Sequence, residues 1–170
     1  MSSDGRSPAM PRADARARTG PPATLAQKLV ARAVDQLPRT PVDIAYIGAC
    51  TGAKLEDLRA AARVLAGRRV AANVQLLVAP ASVRDAEAAG REGTLRALLD
   101  AGATLLPSAC GVCAGYGDAI PERSTVISST ARNFQGRMGA ASAQVFLASP
   151  YTVAASALRG AIADPRELLA

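Results

Sequence analysis

From Val42 onward the chain alternates short apolar runs with stretches of helical period. VDIAYIGA, VQLLVA, ATLLPS, STVISST and AQVFLAS are compact apolar blocks bounded by Gly, Pro, Asp, Asn or Ser, the form of strands buried in a sheet. Between the first two lies LEDLRAAARVLAG, where Leu55, Leu58, Ala62 and Leu65 recur at three and four residues and form one buried stripe. A second helical stretch runs up to Ala101, and a last helix starts at Pro150; Gly67 and Gly102 fall where helices should end. Strand alternating with helix predicts a mainly parallel sheet covered on both faces, a three-layer α/β/α domain assigned to residues 40–170.

The first 39 residues follow other rules. Residues 1–22 mix Pro, Gly, Ser and isolated Arg without any apolar period, and are expected to be a disordered tail. Leu25, Leu29, Val30, Ala33 and Leu37 then return at helical spacing, so residues 23–39 are expected to form an added amphipathic helix that ends at Pro38. No run approaches the roughly 20 apolar residues of a membrane helix, and residues 1–22 lack the apolar block of a secretory signal. The expectation is a cytoplasmic protein without a membrane partner.

Composition changes the picture mainly through what is missing. There is no His, so Ser–His and Cys–His catalytic pairs and every His-containing metal site are excluded within this chain. The formal charge is +6 and almost all bases are Arg, which favours carboxylate or phosphate recognition. The Arg residues are scattered and the aromatics do not cluster, so a nucleic-acid partner is not expected.

Three Cys remain, Cys50, Cys110 and Cys113, an odd number that suits a disulfide framework poorly. Each follows a predicted strand, and ligands of open α/β sheets collect at the carboxyl ends of strands. A C-x-x-C pair joined by a third Cys offers three thiolates to one centre, aided by helix N-termini expected after Cys50 and near Cys113. Zinc in a structural site wants four protein ligands, whereas a three-Cys iron–sulfur cube keeps one iron open to substrate oxygen. A thioredoxin-like dithiol, a three-Cys zinc site and inert buried thiols remain alternatives at this level.

IGACTGAKLEDLRAAARVL, PSACGVCAGYGD and SSTARNFQGRMG, in this order and spacing, resemble three signature segments of the aconitase family. The similarity spans residues 42–165 and is greatest to the large subunits of isopropylmalate isomerase and homoaconitase. The resemblance implies that Cys50, Cys110 and Cys113 are ligands of a 4Fe-4S cluster and that Arg132 and Arg137 bind substrate carboxylates. It assigns Asp118 and Glu122 no site role. Two positions depart from the family pattern, Gly52 and Ala131, each where Asn is usual.

The resemblance further implies only the cluster-bearing domain of a larger enzyme. The family's catalytic His and most of its carboxylates lie on other domains, so no catalytic acid or base is assigned to this chain. The implied function is one subunit of a split hydro-lyase that dehydrates or isomerises a small hydroxy carboxylic acid, with partner subunits supplying the missing domains and the swivel domain. A non-catalytic iron–sulfur protein, in a sensor or assembly role, and a C-x-x-C thiol oxidoreductase are the alternatives. A domain of this kind should expose apolar surface where its neighbours pack.

Overall fold

A computed structural model describes residues 40–117, 120–132 and 134–169. The expected tail, the expected helix over 23–39 and Asp118 lie outside the described residues. Five strands form one sheet: β1 (Ile44–Gly48), β2 (Gln75–Ala79), β3 (Thr104–Leu105), β4 (Thr125–Ser128) and β5 (Gln144–Leu147). All pairings are parallel and the order is β3-β2-β1-β4-β5. β1 is central, with Ile44 opposite both Gln75 and Val126, and all five of its residues are buried, as a parallel strand covered on both faces requires. The edge strands β3 and β5 are largely exposed.

The period of two along each strand sorts side chains into two cores. Ala45, Ile47, Leu76, Val78 and Ile127 point to one face and pack against the helices α1 (Leu55–Leu65), α2 (Val83–Arg91), α3 (Thr94–Asp100) and α4 (Pro150–Arg159). Ile44, Tyr46, Leu77, Ala79 and Val126 point to the other face and pack against Val112, Cys113, Ile120 and Met138. The architecture is consistent with the three-layer α/β/α class. Among the described residues, however, the second outer layer is a four-residue 3-10 turn, Gly111–Ala114, with loops around it. No α-helix begins near Cys113, which corrects the expected helix N-terminus there. A single 3-10 turn contributes little aligned dipole.

Local chemistry explains the helix ends. The stretch before Ala101 breaks into α2 and α3 at Gly93, which takes a positive φ of 86°. Ser149 accepts from the Thr152 amide and Pro150 opens α4, while Gly160 closes it in the left-handed conformation. No helix among the described residues is long and apolar enough to cross a membrane.

α1 lacks a side-chain cap of the usual kind, and α2 supplies one: the Asp85 carboxylate accepts from the Leu55 amide at 3.1 Å and from the Ser82 hydroxyl. The Ser82 hydrogen bond, then the Leu55 amide, holds the Asp85 carboxyl below its ordinary value. A depressed native value means that this stabilisation is complete above the unfolded carboxyl range, near pH 4, and is lost as pH falls through the native value. Asp85→Ala is expected to cost about 0.5–2 kcal/mol in urea unfolding at pH 7. The variant and the parent should converge in stability at the acid end; an unchanged gap below pH 3 would refute this role for the carboxylate.

Candidate functional site

Strand order decides where the cysteines meet. The chain winds outward through β1, β2 and β3, then returns past β2 and β1 to form β4 on the far side. The reversal between β1 and β4 is the switch point at which open α/β sheets hold ligands. Cys50 lies just beyond β1. Cys110 and Cys113 ride on the β3–β4 connection, which crosses toward the same strand end. The loop carrying Arg132 and Arg137 follows β4.

The Cys50 turn is tightly built. Ala49 holds a positive φ of 64°, and the Gly52 amide donates back to the Ala49 carbonyl at 3.2 Å. Ser129, immediately after β4, clamps this turn: its hydroxyl accepts from the Gly48 amide at 3.1 Å and donates to the Gly52 carbonyl at 2.7 Å. Its own amide donates to the Tyr46 carbonyl at 3.0 Å. A Cβ on residue 52 would lie 2.0 Å from the Ser129 carbonyl oxygen, so the backbones of β1 and β4 close over this position and leave no room for the usual Asn. Cys50 is exposed beside the turn.

Cys110 precedes the 3-10 turn and is exposed; Cys113 ends inside the second core. None of the three thiols is in a disulfide. The next loop is pinned against this turn by hydrogen bonds between Ile120 and both Met138 and Ala140. Arg137 thereby reaches Cys113, with Nη2 3.8 Å from Sγ, while its guanidinium lies over the Phe134 ring, 5.3 Å from the centroid. Its Nε is buried without a hydrogen-bond partner. Arg132 is exposed on the same loop, so Arg137 and not Arg132 is brought against a thiol. Glu122 is exposed and takes no part.

Tyr46 joins the pieces. Burial pushes its hydroxyl up to about 12, with a further upward push from Cys113, an opposing effect of the Cys113 amide, and lesser upward pushes from Cys110 and Cys50. All three thiols are therefore within electrostatic reach of one buried oxygen. Tyr46 borders a pocket lined also by Ala79, Leu106, Pro107, Val112 and Tyr116. Among the described residues no three of His, Cys, Asp and Glu are grouped tightly enough to hold a metal ion. That spacing disfavours a three-Cys zinc site, which needs all its sulfurs on one ion. A polynuclear centre makes a looser demand, because each sulfur binds a different iron.

Sequence reasoning did not single out Tyr46, Ser129 or Phe134. Tyr46 carries no usable signal toward Cys50, because β1 ends at Gly48 and Cys50 lies in the turn beyond it. The clamp by Ser129 has none either, since it bridges residues 77 apart.

Comparison with known proteins gives the same direction. The model of the aconitase family (aconitate hydratase) matches residues 8–160, beginning within the segment ahead of the described residues. The chain is 50% identical over 128 residues to the homoaconitase large subunit of Thermus thermophilus, covering 75% of this chain and 31% of that protein. It is 46% identical to the 3-isopropylmalate dehydratase large subunit of Mycolicibacterium smegmatis, over 81% of this chain and 33% of the relative. A large subunit 2 of the same dehydratase in Archaeoglobus fulgidus is also 46% identical, over 80% and 33%. The chain thus spans about a third of the length of the curated relatives it matches. With the family model covering most of its length, and the family's three cysteine and arginine segments gathered at one sheet edge, this chain belongs to the aconitase family.

Proposed function

We propose that the chain is the cluster-bearing subunit of an aconitase-like hydro-lyase, with Cys50, Cys110 and Cys113 as ligands of a 4Fe-4S cluster and Arg137, assisted by Arg132, binding a carboxylate of a small hydroxy acid. The observation that supports this reading is the placing of three unbonded thiols on the connections that leave β1 and β3 at the carboxyl edge of the sheet, with an arginine against one of them. Three thiols in a chain without His match the donor set of an iron–sulfur cube with one open iron. When bound, such a cube supplies an iron with an open position, a Lewis acid toward hydroxyl and carboxylate oxygens.

The chain's own residues bind and orient. The half-buried Arg137 guanidinium offers donors to a substrate carboxylate, and stacking on Phe134 fixes its place. In the dehydration, the substrate hydroxyl leaves as water while the neighbouring carbon gives its proton to a base and a carbon–carbon double bond forms. The chain has no His to act as that base, and the Tyr46 hydroxyl holds its proton near neutral pH. On this reading the base comes from the domains that the relatives carry beyond this third of their length, together with a partner subunit. The pocket supports incompleteness, since its roughly 240 Å³ falls below the 300–1,000 Å³ of complete small-molecule sites. Tyr116 and Phe134, 72% and 60% exposed, stand at the rim as apolar surface for a covering chain. A reducing, cytoplasmic location belongs to the same reading.

Anaerobic reconstitution with iron and sulfide is expected to give a coloured protein that does not turn over hydroxy acids alone and does so once partner subunits are added. Turnover unaided would sink the split-subunit reading. A colourless, iron-free protein with a titratable Cys110–Cys113 disulfide would favour a thiol oxidoreductase instead. One observation favours a non-catalytic iron–sulfur protein as second reading: the closed backbone at Gly52 excludes the polar side chain usual there. In that case the colour would form and no partner would restore turnover.

A further inference from the structure

Tyr46 is fully buried at the centre of the sheet's carboxyl edge, and its hydroxyl proton has no acceptor. A buried hydroxyl whose proton finds no acceptor is less stable than a satisfied one, and Phe in its place would avoid that loss. The backbone is nonetheless arranged to keep the ring where it is. A Cβ on residue 48 would fall 2.2 Å from Tyr46 Cζ and 2.5 Å from Oη, so the ring occupies the space that Gly48 leaves open. The Cys113 amide approaches the oxygen from one side, and the hydroxyl proton has no acceptor. The groups within its electrostatic reach are the three thiols.

We propose that Tyr46 is a positioning residue for the cysteine-held centre, its hydroxyl donating a hydrogen bond to a sulfur of that centre. The inference rests on the reading of Cys50, Cys110 and Cys113 as cluster ligands and adds to it a residue that touches neither substrate nor iron. A hydrogen bond to sulfur draws charge from the thiolate or sulfide and stabilises the reduced centre, which raises its reduction potential. Without the centre the hydroxyl is stranded. The same side chain is therefore a liability in the empty protein and an asset in the loaded one.

The test compares the full-length chain with Tyr46→Phe, which removes one oxygen and keeps the ring. Empty, the variant is expected to melt higher than the parent, by about 2–4 °C for each kcal/mol recovered. After anaerobic reconstitution with iron and sulfide it is expected to show a lower midpoint potential in a dye-mediated titration followed by visible absorption, and faster bleaching in air. Equal potentials and equal bleaching in two proteins of equal iron content would overturn the proposal while leaving the ligand assignment standing. A parent chain that takes up no iron would overturn the ligand assignment and the proposal together. Gly48→Ala provides a second arm: by pushing the ring aside it should lower the potential as Tyr46→Phe does, and an unaltered potential in a loaded Gly48→Ala protein would also count against the role.

Discussion

Cys113→Ser is expected to lower the iron and sulfide retained after anaerobic reconstitution by more than about tenfold, since even the loss of a ligand's hydrogen-bonding support costs 10–100-fold in metal affinity. Cys113 should be the most sensitive of the three positions. It is the buried thiol, it sits in the second core with Tyr46 and Met138, and Arg137 Nη2 lies 3.8 Å from its sulfur. Cys50→Ser and Cys110→Ser should follow in the same direction, because each removes one of only three thiols in the chain. Arg132→Ala supplies the contrast: this residue is exposed and should leave iron content unchanged. Iron, sulfide and visible absorption equal to the parent's in Cys113→Ser would remove the thiol from the site.

Gly52→Asn is expected to restore the family's usual residue and yet destabilise the domain. The atoms a Cβ would meet are the Ser129 carbonyl oxygen at 2.0 Å, the Ser129 carbonyl carbon at 2.7 Å and the Gly48 oxygen at 2.8 Å, all of them backbone. No rotamer change relieves such contacts. Relief requires parting the ends of β1 and β4, where Ser129 makes three hydrogen bonds. Forced overpacking of this kind costs roughly 1–3 kcal/mol, occasionally more. Urea unfolding at neutral pH measures it directly. Ser129→Ala, which removes the clamp without adding volume, should cost less, and a combined variant should be less than additive because both act on one turn. A Gly52→Asn protein as stable as the parent would mean that the turn opens freely, and the close approach would lose its significance.

The helical face of the fold was legible from pattern alone. Strands β1, β2, β4 and β5 and helices α1 and α4 lie where the apolar blocks and the three-to-four spacing put them, because burial imposes periods of two and 3.6 on those segments. The division of α2 from α3 was not read from the period, since apolar positions recur on both sides of Gly93. β3 shrank to Thr104–Leu105 because Pro107 follows and the strand lies at the edge. The second outer layer was misread as helical at Cys113. Residues 106–117 carry Pro107, Gly111, Gly115 and Gly117, a composition that describes a turn more readily than a helix. At the site, strand ends flagged the three cysteines and the resemblance flagged the arginines. The place of Tyr46 depends on the absence of a side chain at Gly48 and on a segment more than 60 residues away, a tertiary fact with no local trace.

The unequal cover of the two sheet faces has a consequence for how the molecule breathes. Among the described residues, side chains of β1 are covered on one side by helices with regular hydrogen-bond ladders, and on the other by a four-residue turn and loops joined through a handful of amides. Opening events of low free energy belong to such irregular cover, while the ladder-bonded half opens only with the whole domain. Amides of residues 112–116 and 137–140 should therefore exchange with deuterium orders of magnitude sooner than those of β1 and α4. Such opening would uncover Cys113, the one covered thiol, while the scaffold that places it stays folded.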